Sequence, residues 1–253
     1  MKTLLALSLF ASLLPTLAQA EDAASPVSYN VGAVSDYRYR GISQSRLLPA
    51  AQGGVDYANG PFYAGTWLST IKWVSDAGDT FSPSVDTGNA PVEWDLYLGS
   101  KGDLVKDALS YDVGTLAYVY IGEKFHNAGL ANPDTGEFYG ALTWAQFTGK
   151  VSVAATNLFG VGHSKGSAYY DLSATFDLSG GFSLVPHVGH QAVRNNSPLS
   201  YTDYSVTLGK DFGKGLSVSL AAVGTDADKT LYYTPSGKFT GRTGAVLGVK
   251  YAF

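Results

Sequence analysis

Four histidines, His126, His163, His187 and His190, are the first residues to test for chemistry. A hydrolytic site needs one of them beside a nucleophile or an acid. His187 and His190 differ by three, so on a strand they point to opposite faces and share no site. His126 and His163 fall in segments read as polar loops, where a solvated histidine has no catalytic duty. A site assembled from an Asp and a His of different loops stays open. No metal-ligand spacing is present, and "GVGHSKG" (160–166) lacks the strand–loop–helix setting of a phosphate cradle. The expectation is therefore no enzyme, no metal and no cofactor.

The charged residues suggest another chemistry. In "SDYRYRGISQS" (35–45) Asp36, Arg38 and Arg40 alternate with Tyr37 and Tyr39. Alternation puts the charges on one face of a strand and the tyrosines on the other. Acids recur on the polar faces of later segments: Glu93, Asp95, Asp112, Asp171, Asp177 and Asp203. Arg242 and Lys250 lie near the end of the chain. If these faces meet around a lumen, opposed positive and negative walls set a transverse field that orients dipolar solutes. The alternative is that the charges pair with one another and plug a narrow lumen.

The elements that would position them follow from the whole chain. Residues 1–20 read as a cleaved export signal. Lys2 supplies the positive start, Leu4 to Leu14 the apolar core and Ala18-Gln19-Ala20 the cleavage site, so one domain is expected over 21–253. There is no cysteine, which excludes disulfides and a lipoprotein anchor. The formal net charge of −4 argues against a nucleic-acid partner. Thirty glycines, seventeen tyrosines, one methionine and only 15% charged residues describe a chain made of strands.

Period-2 patterning divides it into twelve candidate strands: about 28–40, 50–58, 61–73, 92–99, 110–121, 137–146, 149–158, 168–178, 182–193, 201–211, 216–224 and 242–253. Most suit a tilted bilayer crossing. Connections after strands 2, 6, 8 and 10 are short, and those after 1, 3, 5, 9 and 11 are mostly long and polar, among them 75–91. Such alternation belongs to a closed antiparallel transmembrane β-barrel with an even strand count and both termini on the periplasmic side. In hydrocarbon every backbone polar group must be paired within the protein, so the sheet has to close. "AVLGVKYAF" ends the chain on Tyr251 and Phe253, the aromatic ending that a barrel-assembly machinery reads. Tyr29, Phe62, Trp94, Phe176, Phe182 and Tyr251 would form an inner aromatic girdle, and Tyr37, Tyr39 and Tyr201 an outer one.

"SDYRYRGISQS" resembles the opening signature of the TorF-family porins, S-D-Y-x-x-R-G-x-S, and "FYAGTW" (62–67), "YDVG" (111–114) and "KDFGKGLSVSLA" (210–221) are similar to strand and turn elements of that family. The resemblance spans nearly the whole mature chain. It implies an outer-membrane barrel that is a porin by inference, and it brings no substrate and no functional residue. The expected function is passive diffusion of small hydrophilic solutes across the outer membrane of a diderm bacterium, with lipid, the assembly machinery and those solutes as partners. The alternative is a narrow or closed barrel acting as receptor, adhesin or structural protein through aromatic-bearing external loops.

Overall fold

Strict alternation of apolar and polar side chains can bury only one face of each strand, and here the polar face is the buried one. The computed structural model describes residues 25–253; the expected export signal over 1–20 lies outside them. Twelve long strands follow one another: β1 Val27–Val34, β2 Ala50–Asn59, β3 Phe62–Thr70, β4 Val92–Val105, β5 Leu109–Val119 and β6 Thr135–Trp144. Then come β7 Phe147–Ala154, β8 Ala168–Ala174 with its continuation Phe176–Leu178, β9 Phe182–Ala192, β10 Tyr201–Gly213, β11 Leu216–Thr225 and β12 Gly244–Ala252. Each is hydrogen-bonded antiparallel to the next. The last strand pairs with the first, from Asn30↔Ala252 to Val34↔Gly248, which closes the barrel and removes every sheet edge.

Tyr29, Leu172 and Leu247 point outward and are 46%, 53% and 51% exposed. Inward, Asp56, Asp95, Glu137 and Asp203 are buried. An apolar outside around a charged inside is the inverse of a soluble protein and suits a bilayer. Connections at the rim carrying both termini have two or three residues each. Those at the far rim cover 35–49, 71–91, 120–134, 155–167, 193–200 and 226–243.

Several boundaries differ from expectation. β1 stops at Val34 instead of running to Arg40. The 71–91 segment, read as a polar loop, contains a helix, α1 (Trp73–Phe81), docked through fully buried Val74. The β6–β7 turn falls at Ala145-Gln146, where the expected strands 137–146 and 149–158 place it at 147–148. That slip is of two residues, so it leaves each side chain on its expected face. Tyr29, Phe62, Phe176, Phe182 and Tyr251 are exposed at the termini-bearing rim. Trp94 lies at the far rim, because β4 runs back from that side. Tyr37 and Tyr201 are buried and Tyr39 is half-buried, so none of the three forms an outer girdle. Phe138, Tyr170 and Tyr204 are among the exposed aromatics near that rim.

Candidate functional site: a hairpin across the lumen

At Ser35 the chain leaves the wall. Its amide donates to the Leu247 carbonyl at 2.8 Å and its Oγ accepts from the Leu247 amide at 2.9 Å, the last ties to β12. Beyond it, residues 36–45 fold into the lumen as a small hairpin with Arg38↔Ser43 and Tyr39↔Ile42 in register. Its two tip residues, Arg40 and Gly41, have φ of +46° and +78°, the positive values that the tightest hairpin turns require. Asp36 braces the base: Arg38 Nε donates to Oδ2 at 2.6 Å and Ser43 Oγ to Oδ1 at 2.5 Å. Arg38 Nη1 also donates to the carbonyls of Gly41, Thr240 and Arg242.

The hairpin reaches much of the circumference. Tyr37 Oη donates to Glu93 Oε1 on β4 at 2.6 Å, and Tyr39 shares a 2.6 Å hydroxyl bond with Tyr118 on β5. Arg40 Nη2 pairs with Glu137 Oε2 on β6 at 2.8 Å, and Nη1 donates to Gln191 Oε1 on β9 at 2.6 Å. The guanidinium lies over the Tyr169 ring, 4.2 Å from its centroid. The Gly41 Cα sits so close to β10 and β11 that a Cβ would lie 2.7 Å from Asp203 Cβ and closer still to Thr225 Cγ2. With both faces of the segment enclosed by wall, Tyr37 is buried along with Asp36 and Arg40.

Two chambers result, with Tyr39 and Tyr118 lining both. The lower one, about 260 Å³, faces the termini-bearing end and is lined by Asp56, Asp171, Lys150 and Lys250 among others. The upper one, about 220 Å³, lies under the long loops. In the lower wall Asp112 accepts from Tyr63 at 2.5 Å, Asp56 from Tyr97, and Lys150 lies over Tyr139 at 4.1 Å. His187 Nε2 is 2.8 Å from Asp171, and Tyr169 donates to Asp203 at 2.9 Å.

Above, the loops brace one another. A hydrogen bond from the Arg46 guanidinium to Asp76 holds Arg46 above its ordinary value, and burial pushes the Tyr232 hydroxyl up as it packs on Tyr201. Phe125, in the 120–134 connection, is buried.

A sequence profile described as "Bacterial protein of unknown function (Gcw_chp)" matches residues 18–253. The chain belongs to the Gcw_chp family. Among curated proteins no sequence matches it. Solved structures share the fold. A KdgM porin in complex with disordered oligogalacturonate matches with a TM-score of 0.52 at 6% identity, over 90% of this chain and 98% of that one. A NanC porin matches with a TM-score of 0.50 at 10% identity, over the same shares. The outer membrane phospholipase A from Escherichia coli matches with a TM-score of 0.47 at 11% identity, over 93% of each chain. At these identities the likeness concerns the barrel alone.

In this Gcw_chp chain the expected charges divide into three groups. Glu93, Asp95, Asp112, Asp171 and Asp203 are on the inner wall, and Lys250 lines the lower chamber. Asp36, Arg38 and Arg40 stand in the lumen on the hairpin rather than on a wall. Asp177 shares the inward face, opposite Ser183, but is exposed at the termini-bearing rim. Arg242 precedes β12, so strand alternation does not govern it. Its side chain is exposed and only its carbonyl joins the network. The two signs are not segregated onto opposed walls, because Arg38 and Arg40 pair with Asp36 and Glu137. Asp56, Glu137, Lys150, His187 and Gln191 were not anticipated, although each lies on the inward face of its strand. His190 points outward, as its spacing from His187 requires.

Proposed function

We propose that the chain is an outer-membrane channel through which small hydrophilic solutes diffuse passively, with the 36–45 hairpin as its constriction. The observation that carries this reading is the pair of chambers, one on each side of a hairpin tied to the wall mainly by polar contacts. A lumen bearing both signs of charge suits weakly selective transport of polar molecules. Solved proteins of the same fold include two described as porins, and the resemblance of residues 35–45 to TorF-family porins points the same way. In this reading the export signal is cleaved after Ala20, the short-turn rim faces the periplasm and the long loops face outside. Tyr251 and Phe253 are read by the assembly machinery, lipid covers the apolar belt, and no nucleic acid or cofactor takes part. The inward His187 serves an ionic network with Asp171, Asp203 and Tyr169, and the chain is no enzyme.

Liposome swelling with sugars, amino acids and nucleosides, alongside planar-bilayer conductance, tests this. Uptake of at least one class is expected, with larger conductance once residues 38–43 are replaced by a short glycine linker. A correctly folded barrel that stays silent in both forms refutes a channel. It would favour the second reading, a closed barrel acting through its loops, which the seating of the hairpin across the lumen supports.

A further inference from the structure

The upper chamber differs from the lower one in charge. Arg38, Arg40, Lys150 and Lys250 line the lower chamber, whereas among the described residues no lysine, arginine or histidine lines the upper. Its acids are Asp76, already paired with Arg46, and Glu93. Glu93 is buried and accepts only from neutral tyrosines, Tyr37 at 2.6 Å and Tyr120 at 2.8 Å. Among the described residues no ion pair reaches it. A buried carboxylate without a counter-charge is costly, and the cost is relieved either by a proton or by a cation drawn from the chamber it faces.

The rest of the wall suits the same guest. Trp73, Tyr120, Phe159 and Tyr39 pack edge to face around the chamber, with Trp73 and Tyr120 centroids 4.9 Å apart and Tyr39 and Phe159 5.5 Å apart. Aromatic rings carry a negative face that holds ammonium groups, most strongly where water is excluded. Two of the residues that line it, Trp73 and Thr80, each hold a polar atom, Nε1 and Oγ1, that is buried with no hydrogen-bond partner. Such groups call for an acceptor. At about 220 Å³ the chamber is smaller than the roughly 300–1,000 Å³ of sites for drug-sized ligands.

We propose that the upper chamber binds small organic cations, of the primary or quaternary ammonium class, that also carry an acceptor oxygen. This names a solute class for the lumen read above as a channel. It rests on that reading only for the view that solutes enter there.

The test uses the purified full-length protein in detergent and isothermal titration with choline and with its uncharged carbon isostere, 3,3-dimethylbutan-1-ol. Choline is expected to bind at least about tenfold more tightly than the isostere. Glu93→Gln keeps an acceptor for one tyrosine and offers its amide N–H to the hydroxyl of the other, so it should cost choline about tenfold or more while leaving the isostere unchanged. Trp73→Phe, which keeps a ring but removes the donor, should weaken choline severalfold and serves if Glu93→Gln does not fold. Equal binding of choline and isostere, no choline binding by folded wild-type protein, or unaltered choline affinity in both variants overturns the proposal. Choline binding without conductance would sink the channel reading and spare this one, and conductance without choline binding would do the reverse.

Discussion

Arg40 is the residue whose removal tests the constriction most directly. Its side chain is 4% exposed and that of its partner Glu137 is 3% exposed, so the pair is dry as well as short. Replacing Arg40 with Met keeps an unbranched apolar stem but strands the Glu137 carboxylate. Removing one member of a buried ion pair costs about 3–5 kcal/mol. The hairpin's remaining ties are hydrogen bonds: Tyr39–Tyr118, worth about 0.5–1.5 kcal/mol net, and those with a charged partner, Tyr37–Glu93 and Arg38 to Thr240 and Arg242, worth about 1.5–3 kcal/mol each. The barrel itself is a continuous ladder, so the strain is relieved where the ties are fewest, by the hairpin leaving its seat. At about 1.4 kcal/mol per decade, the released population should rise between roughly a hundredfold and a few thousandfold. In planar bilayers Arg40→Met should therefore open far more often than wild type, and Glu137→Gln should act in the same direction. The double variant Arg40→Met/Glu137→Leu, with neither charge left, should be perturbed less than the two single changes summed. Folded single variants with wild-type conductance, or strictly additive effects, would refute the reasoning.

Other outcomes follow from the same contacts. Gly41→Ala should loosen the hairpin and leave the barrel intact, because its left-handed backbone costs about 1–2 kcal/mol and the added Cβ crowds Asp203 and Thr225 for about 1–3 kcal/mol; protease sensitivity confined to 36–45 would report it. Lys150→Gln removes a positive charge from the lower chamber and should shift the reversal potential in a KCl gradient toward cation selectivity. An unchanged potential would take Lys150 out of the conducting path. Deleting Phe253 removes two seam hydrogen bonds to Tyr29, of 2.9 and 3.0 Å, and a ring stack at 5.8 Å. Each should be worth about 0.5–1.5 kcal/mol. The melting temperature and the yield in the outer membrane should both fall, and an unchanged yield would contradict an assembly role for the terminal aromatic.

The barrel was legible because alternation is a local signal and one face of every strand meets lipid. Leu172 and Leu247 could be placed from their neighbours alone, and a two-residue error at the β6–β7 turn did no harm. The hairpin was hidden for the same reason. "SDYRYRG" continues the alternation of β1 without a proline or a glycine before Gly41, and its turn is Arg-Gly where an Asn-Gly would have been recognised. Whether such a segment extends the wall or folds inward depends on the space inside a barrel of twelve strands, which no local pattern encodes. Tyr37 and Tyr39 were misplaced because alternation assumes a lipid face, and a strand inside the lumen has none. Helix α1 escaped because "WVSDAGDTF" is rich in turn formers. The burial of Val74, a tertiary contact, overrides that composition.

The hairpin and the wall obey different energetics. In lipid the wall cannot come apart piecemeal, since any freed strand exposes unpaired backbone to hydrocarbon. The lumen has no such penalty: water can enter, and every bond the hairpin makes can be replaced by one to water at small net cost. Its stability is therefore a small difference between the desolvation of Arg40, Glu93 and Glu137 and the contacts they gain. An arginine at φ +46°, where L-residues are disfavoured, lowers that difference further. An element made only to fill space would be better served by glycine or asparagine at that position, which take the turn without strain. Arginine there is explained by what its guanidinium reaches, Glu137, Gln191 and the face of Tyr169, which are the contacts that set the hairpin between the two chambers.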